Sequence, residues 1–338
     1  MKLKYKALRG NRVTTLLAMI LVMAVVICGC GGGPKISASA PVEKQDFLLN
    51  TVCNIKIQGY EGSREEAEAL LGEAYTLARE LENKLSRTIS GSDVYKINQA
   101  NGEPVDDVDP RVMEVLAKGE YYEELSKGRF DIHLGRLTAL WDFSSGKNVV
   151  PEEDQIQAVL HDPNPHLDLG AIAKGYIVEQ VSLFLKEQGV TSGIVDFGGN
   201  ISCVGAKEGG APWYIGIKRP FGADDSTANQ SATIGIVEVH ADGSAVTSGT
   251  YERKFEENGI LYHHILDPDT GYPCDTDVNG VTIIGSSSTD CDALSTICLL
   301  LGKDAGMELI ESIEGVEAVF VTKDGAVHCT SGVVFEAL

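Results

Sequence analysis

Positive charge is scarce in this chain: 28 lysines and arginines stand against 49 aspartates and glutamates, for a formal net charge of −21. So acidic a molecule repels a polyphosphate backbone, which removes nucleic acid from the list of partners, and it disfavours non-specific adhesion to anionic lipid headgroups. The eight cysteines include no CxxC pair. Zinc-site spacing is therefore missing, and cysteines scattered from Cys53 to Cys329 do not make a dense disulfide framework, so these thiols are predicted to be mostly buried. No Pro-, Gly- or Ser-rich linker divides the interior, and no internal repeat or low-complexity tract occurs. One α+β unit with two lobes is the expectation. A long hydrophobic run is missing too, because the uncharged apolar stretch 13–27 falls short of the roughly 20 residues a spanning helix needs.

What is present at the N-terminus is a secretory pattern. Lys2, Lys4, Lys6, Arg9 and Arg12 precede the apolar stretch, which ends in Ile27-Cys28-Gly29-Cys30, small residues suited to a cleavage point. Ile-Cys-Gly-Cys resembles a bacterial lipobox, which implies a signal peptide over residues 1–29, a diacylglyceryl thioether on Cys30 and anchorage on the extracytoplasmic face of the cell membrane. Gly31-Gly32-Gly33-Pro34 opens a flexible tether expected over residues 30–43. The remaining domain is expected over 44–338. Loss of the signal removes five positive charges and no acid, leaving a mature charge of about −26.

Hydrophobic periodicity sketches the domain. A strand is predicted over 47–59 and a helix over 64–85, with further helices over 112–126 and 175–188, the latter stopping at Gly189. Short β-rich segments follow at 193–204, 213–218, 234–240, 245–248, 254–258 and 278–284. A helix over 290–301 and a β-rich segment over 316–335, folded at Lys323-Asp324-Gly325, close the chain.

Three clusters carry possible chemistry. Residues 167–176 (LDLGAIAKGY) place Asp168, two glycines and Lys174 just before a helix, a turn that lets backbone groups approach a phosphate, although glycine before a helix is commonly plain turn chemistry and Asp168 could simply cap. Residues 247–253 (TSGTYER) precede 262–273 (YHHILDPDTGYP). Adjacent strand residues face opposite ways, so His263 and His264 do not share one ion; one is structural and the other faces a cleft. Residues 290–296 (DCDALST) put Asp292 and Thr296 four apart on one helical face, hard oxygens suited to Mg²⁺, unless Asp292 is a cap and Thr296 bonds backward.

Taken together and in this order, these motifs closely resemble the signature of the ApbE family of flavin transferases. The likeness extends to 81–98 (LENKLSRTISGSDVYKIN), to Gly128-Arg129-Phe130-Asp131 with Trp141-Asp142-Phe143, and to Asp196-Phe197-Gly198-Gly199-Asn200. It implies a T-fold-like domain of two lobes with FAD in the cleft between them and Mg²⁺ on its diphosphate. By position, the Ala171 carbonyl, Asp292 and Thr296 match the family's metal ligands, with Ser295 a weaker candidate beside them. Thr88, Phe130, Asp131, Asp168, Lys174 and Ile265 match positions lining FAD. Leu49-Asn50-Thr51 stands where many members have Met-Gly-Thr, Thr88 stands where many have an aromatic, and Cys291 replaces a usual alanine.

The resemblance implies transfer of FMN from FAD to a Thr or Ser hydroxyl of another protein, with AMP leaving. Its expected acceptors are extracytoplasmic flavoprotein subunits of membrane redox complexes. His264 matches the histidine near the reacting phosphate, and an imidazole of ordinary pKa about 6.5 accepts a hydroxyl proton near neutral pH. Asp267, in the same turn, is an alternative base or an orienting partner of His264. Hydrolysis of FAD to FMN and AMP at the same site, and a flavin-binding lipoprotein without catalysis, are the competing readings.

Overall fold

In the computed structural model, residues 36–221 and 232–338 are described; the signal, Cys30 and the first residues of the tether lie outside them. Ile36 is buried and bridges Tyr60, and the first strand starts at Val42, so packed structure begins upstream of the boundary expected at residue 44.

Thirteen strands and eight helices are described. The chain runs β1 (Val42–Leu48), β2 (Thr51–Gly59), α1 (Arg64–Leu85), α2 (Asp93–Ala100), α3 (Pro110–Leu125), α4 (Gly135–Trp141), α5 (Glu153–Leu160) and α6 (Ala173–Glu187). It continues through β3 (Ser192–Phe197), β4 (Asn200–Gly205), β5 (Trp213–Lys218), β6 (Thr233–Val239), β7 (Ser244–Gly249), β8 (Lys254–Glu257), β9 (Ile260–His263) and β10 (Val278–Gly285). Helices α7 (Ser288–Leu301) and α8 (Lys303–Glu311) and strands β11 (Glu317–Thr322), β12 (Val327–Cys329) and β13 (Phe335–Ala337) complete it. The mixed helix and sheet content matches the expected class.

Eight strands form one antiparallel sheet in the order β1-β2-β3-β4-β7-β10-β11-β12, beside a three-stranded sheet β13-β6-β5 and the β8-β9 hairpin. Alternation along the strands decides what each face meets. Val204, Val246 and Ile283 join α1, α6 and α7 in the main core, whereas Cys203, Ala245 and Val319 pack against the three-stranded sheet. A third cluster joins Leu137 and Trp141 of α4 and Ile156 of α5 to Phe255 and Leu266.

Two stretches read as single strands are hairpins. At 47–59 the chain reverses at Leu49 and Asn50, both left-handed (φ 54° and 57°). Asn tolerates that conformation where Gly is the usual choice, which accounts for Asn50 in place of glycine. At 193–204 the reversal is Gly198-Gly199 (φ 60° and 92°), and a side chain at Gly198 would collide with Thr51. Helix α1 falls on the expected residues because Ser63 and Glu66 form a reciprocal capping box. All six described cysteines are free, five of them buried and Cys329 half-buried.

Candidate functional site

The N-termini of α6 and α7 meet at Gly175. A Cβ on Gly175 would lie 2.3 Å from the Ser288 carbonyl oxygen and 2.6 Å from Asp292 Cβ, so only glycine permits this approach. Glu179 of α6 fastens the two helices, its Oε2 accepting from Ser287 Oγ at 2.7 Å and from the Thr289 amide and hydroxyl at 2.9 Å each. The Gly175 amide donates to Asp292 Oδ2 at 2.8 Å rather than to the Ala171 carbonyl one helical turn back. Among the described residues no backbone donor reaches the Ala171 carbonyl, which leaves it available as a ligand.

Asp292 is buried and burial raises its pKa, opposed chiefly by the positive charge of Lys174. A desolvated carboxylate, a half-buried Thr296 hydroxyl and an unused carbonyl form a hard-oxygen set that suits Mg²⁺. The Thr296 hydroxyl lies 3.2 Å from Ser248 Oγ of β7, so it faces the sheet and not its own helix backbone. Ser295, fully buried, spends its hydroxyl on the Asp292 carbonyl at 2.8 Å and on Ser248 at 2.7 Å, and is not placed as a ligand. Asp196, which burial also holds above the usual carboxylate range, accepts from the Gly199 amide at 3.1 Å and feels the charge of Lys174. Lys174 forms no ion pair among the described residues.

Asp168 is held from two sides, by Arg87 Nε at 2.9 Å and by the Gly170 amide at 2.9 Å. Arg87 thereby brings the loop after α1, with exposed Thr88, to the 167–176 turn. Thr88 itself bonds only Ser86 among the described residues. Sequence reasoning assigned Arg87 no role, because its partner lies 81 residues away.

Strand β9 and the turn after it place the histidines. His263 is buried and pulled down to about 4 by that burial, a neutral structural residue. His264 is half-buried, and its amide donates to the Arg253 carbonyl at 3.1 Å. Desolvation, then chiefly the charge of Arg253 and also that of Lys174, hold it well below the ordinary histidine pKa, and its Nδ1 has no partner among the described residues. It is therefore neutral at pH 7. Arg253 retains solvent access yet is desolvated enough to lower its own pKa. Of the two roles open to Asp267, alternative base or orienting partner of His264, the second finds no contact among the described residues. Asp267 accepts instead from Arg129 at 3.1 Å and from the Asp269 amide at 2.8 Å, which spends both its oxygens on stabilising the turn. Trp141 Nε1 donates to the Gly271 carbonyl at 2.8 Å and pins the same turn, while the Ile265 side chain sits in the main core.

Phe130 and Asp131 lie one element away. They line a cavity of about 420 Å³ shared with His133, Leu137 and Pro268, and the Asp168 amide donates to the neighbouring Ile132 carbonyl at 2.8 Å. Phe130 itself is buried and meets Tyr122 edge to face. Asp131 and Glu123 flank His133, whose Nδ1 lies 3.3 Å and 3.0 Å from them. These carboxylates push His133 up to about 10, so the trio is closed as an ion pair by an imidazolium.

The chain is similar to known proteins over most of its length. The model described as "ApbE family" matches residues 49–320. A FAD:protein FMN transferase of Treponema pallidum (strain Nichols) is 32% identical over 349 residues, covering 93% of this chain and 93% of that protein. One of Klebsiella pneumoniae (strain 342) is 33% identical over 276 residues, with 76% and 83% covered. Among solved structures, an ApbE protein of Thermotoga maritima superposes with a TM-score of 0.75 at 31% identity, over 86% of this chain and 97% of that one. The flavin transferase ApbE of Vibrio cholerae gives 0.73 at 27% identity, over 86% and 97%.

Proposed function

Because the chain belongs to the ApbE family, we propose that it transfers the FMN part of FAD to a Thr or Ser hydroxyl of an acceptor flavoprotein, with Mg²⁺ as cofactor. The reaction forms a phosphoester and releases AMP. One observation carries the proposal: in a protein of net charge −21, the buried Asp292, which the Gly175 amide joins to the turn that carries Ala171, feels the positive charge of Lys174, and Lys174 and Arg253 both act on a neutral His264. Oxygen ligands for a cation beside fixed cations for an anion are what a metal-bound diphosphate requires.

Asp292, Thr296 and the Ala171 carbonyl would hold the Mg²⁺, which supplies charge neutralisation on the diphosphate. Lys174 and Arg253 neutralise further phosphate oxygens. His264 takes the proton of the attacking hydroxyl at an imidazole nitrogen as the new P–O bond forms and the P–O bond to AMP breaks. Its basicity depends on the substrate. In the free protein burial first, and then the neighbouring cations, oppose protonation, and an anionic diphosphate that offsets Arg253 and Lys174 removes the second of these and raises the His264 pKa.

The two-lobed cleft implied by the family would place flavin along the 167–176 turn and the cavity at Phe130 and Asp131. We place the acceptors among extracytoplasmic flavoprotein subunits of membrane redox complexes, and the enzyme on the membrane through an acyl chain on Cys30. The N-terminal pattern supports that placement. Among the described residues no helix is long and apolar enough to cross a membrane.

AMP release tests the reaction type. Transfer requires AMP only when FAD, Mg²⁺ and an acceptor are all present, with loss of release in Asp292→Ala. AMP from FAD and Mg²⁺ alone would make the protein a FAD hydrolase, and flavin binding without AMP under any condition would make it a carrier.

A further inference from the structure

Asn200, the first residue of β4, is fully buried, yet among the described residues neither the nitrogen nor the oxygen of its carboxamide has a hydrogen-bond partner. Native interiors rarely leave an amide in that condition, and an unpaired buried amide points to a missing partner. The register of the sheet shows where that partner belongs. Asn200 sits opposite Val246 of β7, and Ser248 follows Val246 by two residues on the same face. Helix α7 covers that face, since the Ser248 hydroxyl meets Ser295 and Thr296. Asp292 precedes Thr296 by about one helical turn. Ser248 thus lies under Thr296, and Asn200 lies close enough to the Asp292 carboxylate to lower its pKa, although among the described residues no hydrogen bond of full geometry joins them. The other side of that carboxylate is already fixed, because Gly175 holds Oδ2 at 2.8 Å.

We propose that Asn200 is a positioning residue of the metal centre: its amide N–H holds the Asp292 oxygen that Gly175 leaves free. Asn200 does for Asp292 what Ser248 does for Thr296. The inference rests on the assignment of Asp292 as a ligand of a divalent cation. It also explains why a fully buried position carries a carboxamide where an apolar side chain of the same shape would pack without an unpaired group.

The test uses Mn²⁺ as the probe, its binding to the folded protein read by electron paramagnetic resonance in the presence of FAD. Asn200→Leu keeps the shape and removes both polar atoms. It is expected to melt at or above the wild-type temperature without metal, to bind FAD unchanged without metal by flavin fluorescence, and to lose Mn²⁺ affinity by about 10–100-fold. Asn200→Ala, which adds no branch to the core, is read in the same way, so that overpacking by leucine does not decide the result. Wild-type Mn²⁺ affinity in either folded variant overturns the role of Asn200. A fall in Mn²⁺ affinity matched by an equal fall in metal-free stability reduces Asn200 to a packing residue and overturns the role as well. A wild-type protein that binds no Mn²⁺ overturns the metal assignment itself, which separates the two failures.

Discussion

Replacing Gly175 by alanine pushes directly on the contact that builds the site. The new methyl carbon would stand 2.3 Å from the Ser288 carbonyl oxygen and 2.6 Å from Asp292 Cβ, whereas non-bonded carbon contacts settle at about 3.5 Å. Neither obstacle is the end of a flexible side chain, so α6 and α7 must part by about 1 Å. The Gly175–Asp292 hydrogen bond, now 2.8 Å, would then stretch beyond a useful length. Overpacking costs about 1–3 kcal/mol and loss of a hydrogen bond to a charged group about 1.5–3 kcal/mol, against a gain of about 1 kcal/mol in helix propensity. A net loss of about 1.5–5 kcal/mol is expected in denaturant unfolding. Displacement of Asp292 from Ala171 by this amount is expected to lower the rate of AMP release on the order of 100-fold. Gly72→Ala is the matched control, since a Cβ there meets nothing within 4 Å; in α1 it should stabilise by about 0.5–1 kcal/mol and leave activity intact. A Gly175→Ala protein with wild-type stability and turnover would refute the close-approach explanation.

The ion pairing of His133 contributes stability that is fully present below its unfolded pKa of about 6.5 and is lost as pH rises toward the folded value of about 10; thermal melts should fall across that window in wild type and flatten in His133→Gln. A slope equal in both proteins would contradict the pairing. Arg87→Ala frees Asp168 and the loop carrying Thr88, and is expected to raise KM for FAD several-fold with a smaller change in kcat, measured by steady-state AMP release. Cys30→Ser in the full-length chain should move the protein from the membrane fraction to the soluble fraction, and unchanged sedimentation with membranes would remove the acyl anchor.

How far the fold can be read from the sequence depends on the range of the forces that set each element. Residues 64–85 carry their own start signal in the capping box and enough turns for a clear period. The hairpins at Leu49-Asn50 and Gly198-Gly199 were merged into single strands, because apolar alternation continues through turns only two residues long. Four helices, Asp93–Ala100, Gly135–Trp141, Glu153–Leu160 and Lys303–Glu311, escaped detection, since nine residues or fewer give little periodicity to detect. In the candidate site, helical spacing placed Asp292 and Thr296 on one face, and the family motifs pointed to Ala171, Asp168, Lys174 and His264, which the fold gathers around the meeting of α6 and α7. The roles of Ser248, Arg87 and Gly175 were not legible. Each acts on a partner 47 to 117 residues away, and no local pattern records a contact made only by the tertiary fold. The low pKa of His264 is hidden for the same reason, since Arg253 and Lys174 reach it from other segments.

The most direct measurement is the intact mass of a candidate acceptor domain after incubation with the fragment that begins beyond Cys30, FAD and Mg²⁺, in parallel with Asp292→Ala. FMN transfer predicts a mass gain of one FMN group on a Thr or Ser, absent without Mg²⁺ and absent with the variant. An acceptor that gains FMN equally with Asp292→Ala would contradict the metal centre, and acceptors left unmodified while AMP accumulates would contradict transfer itself.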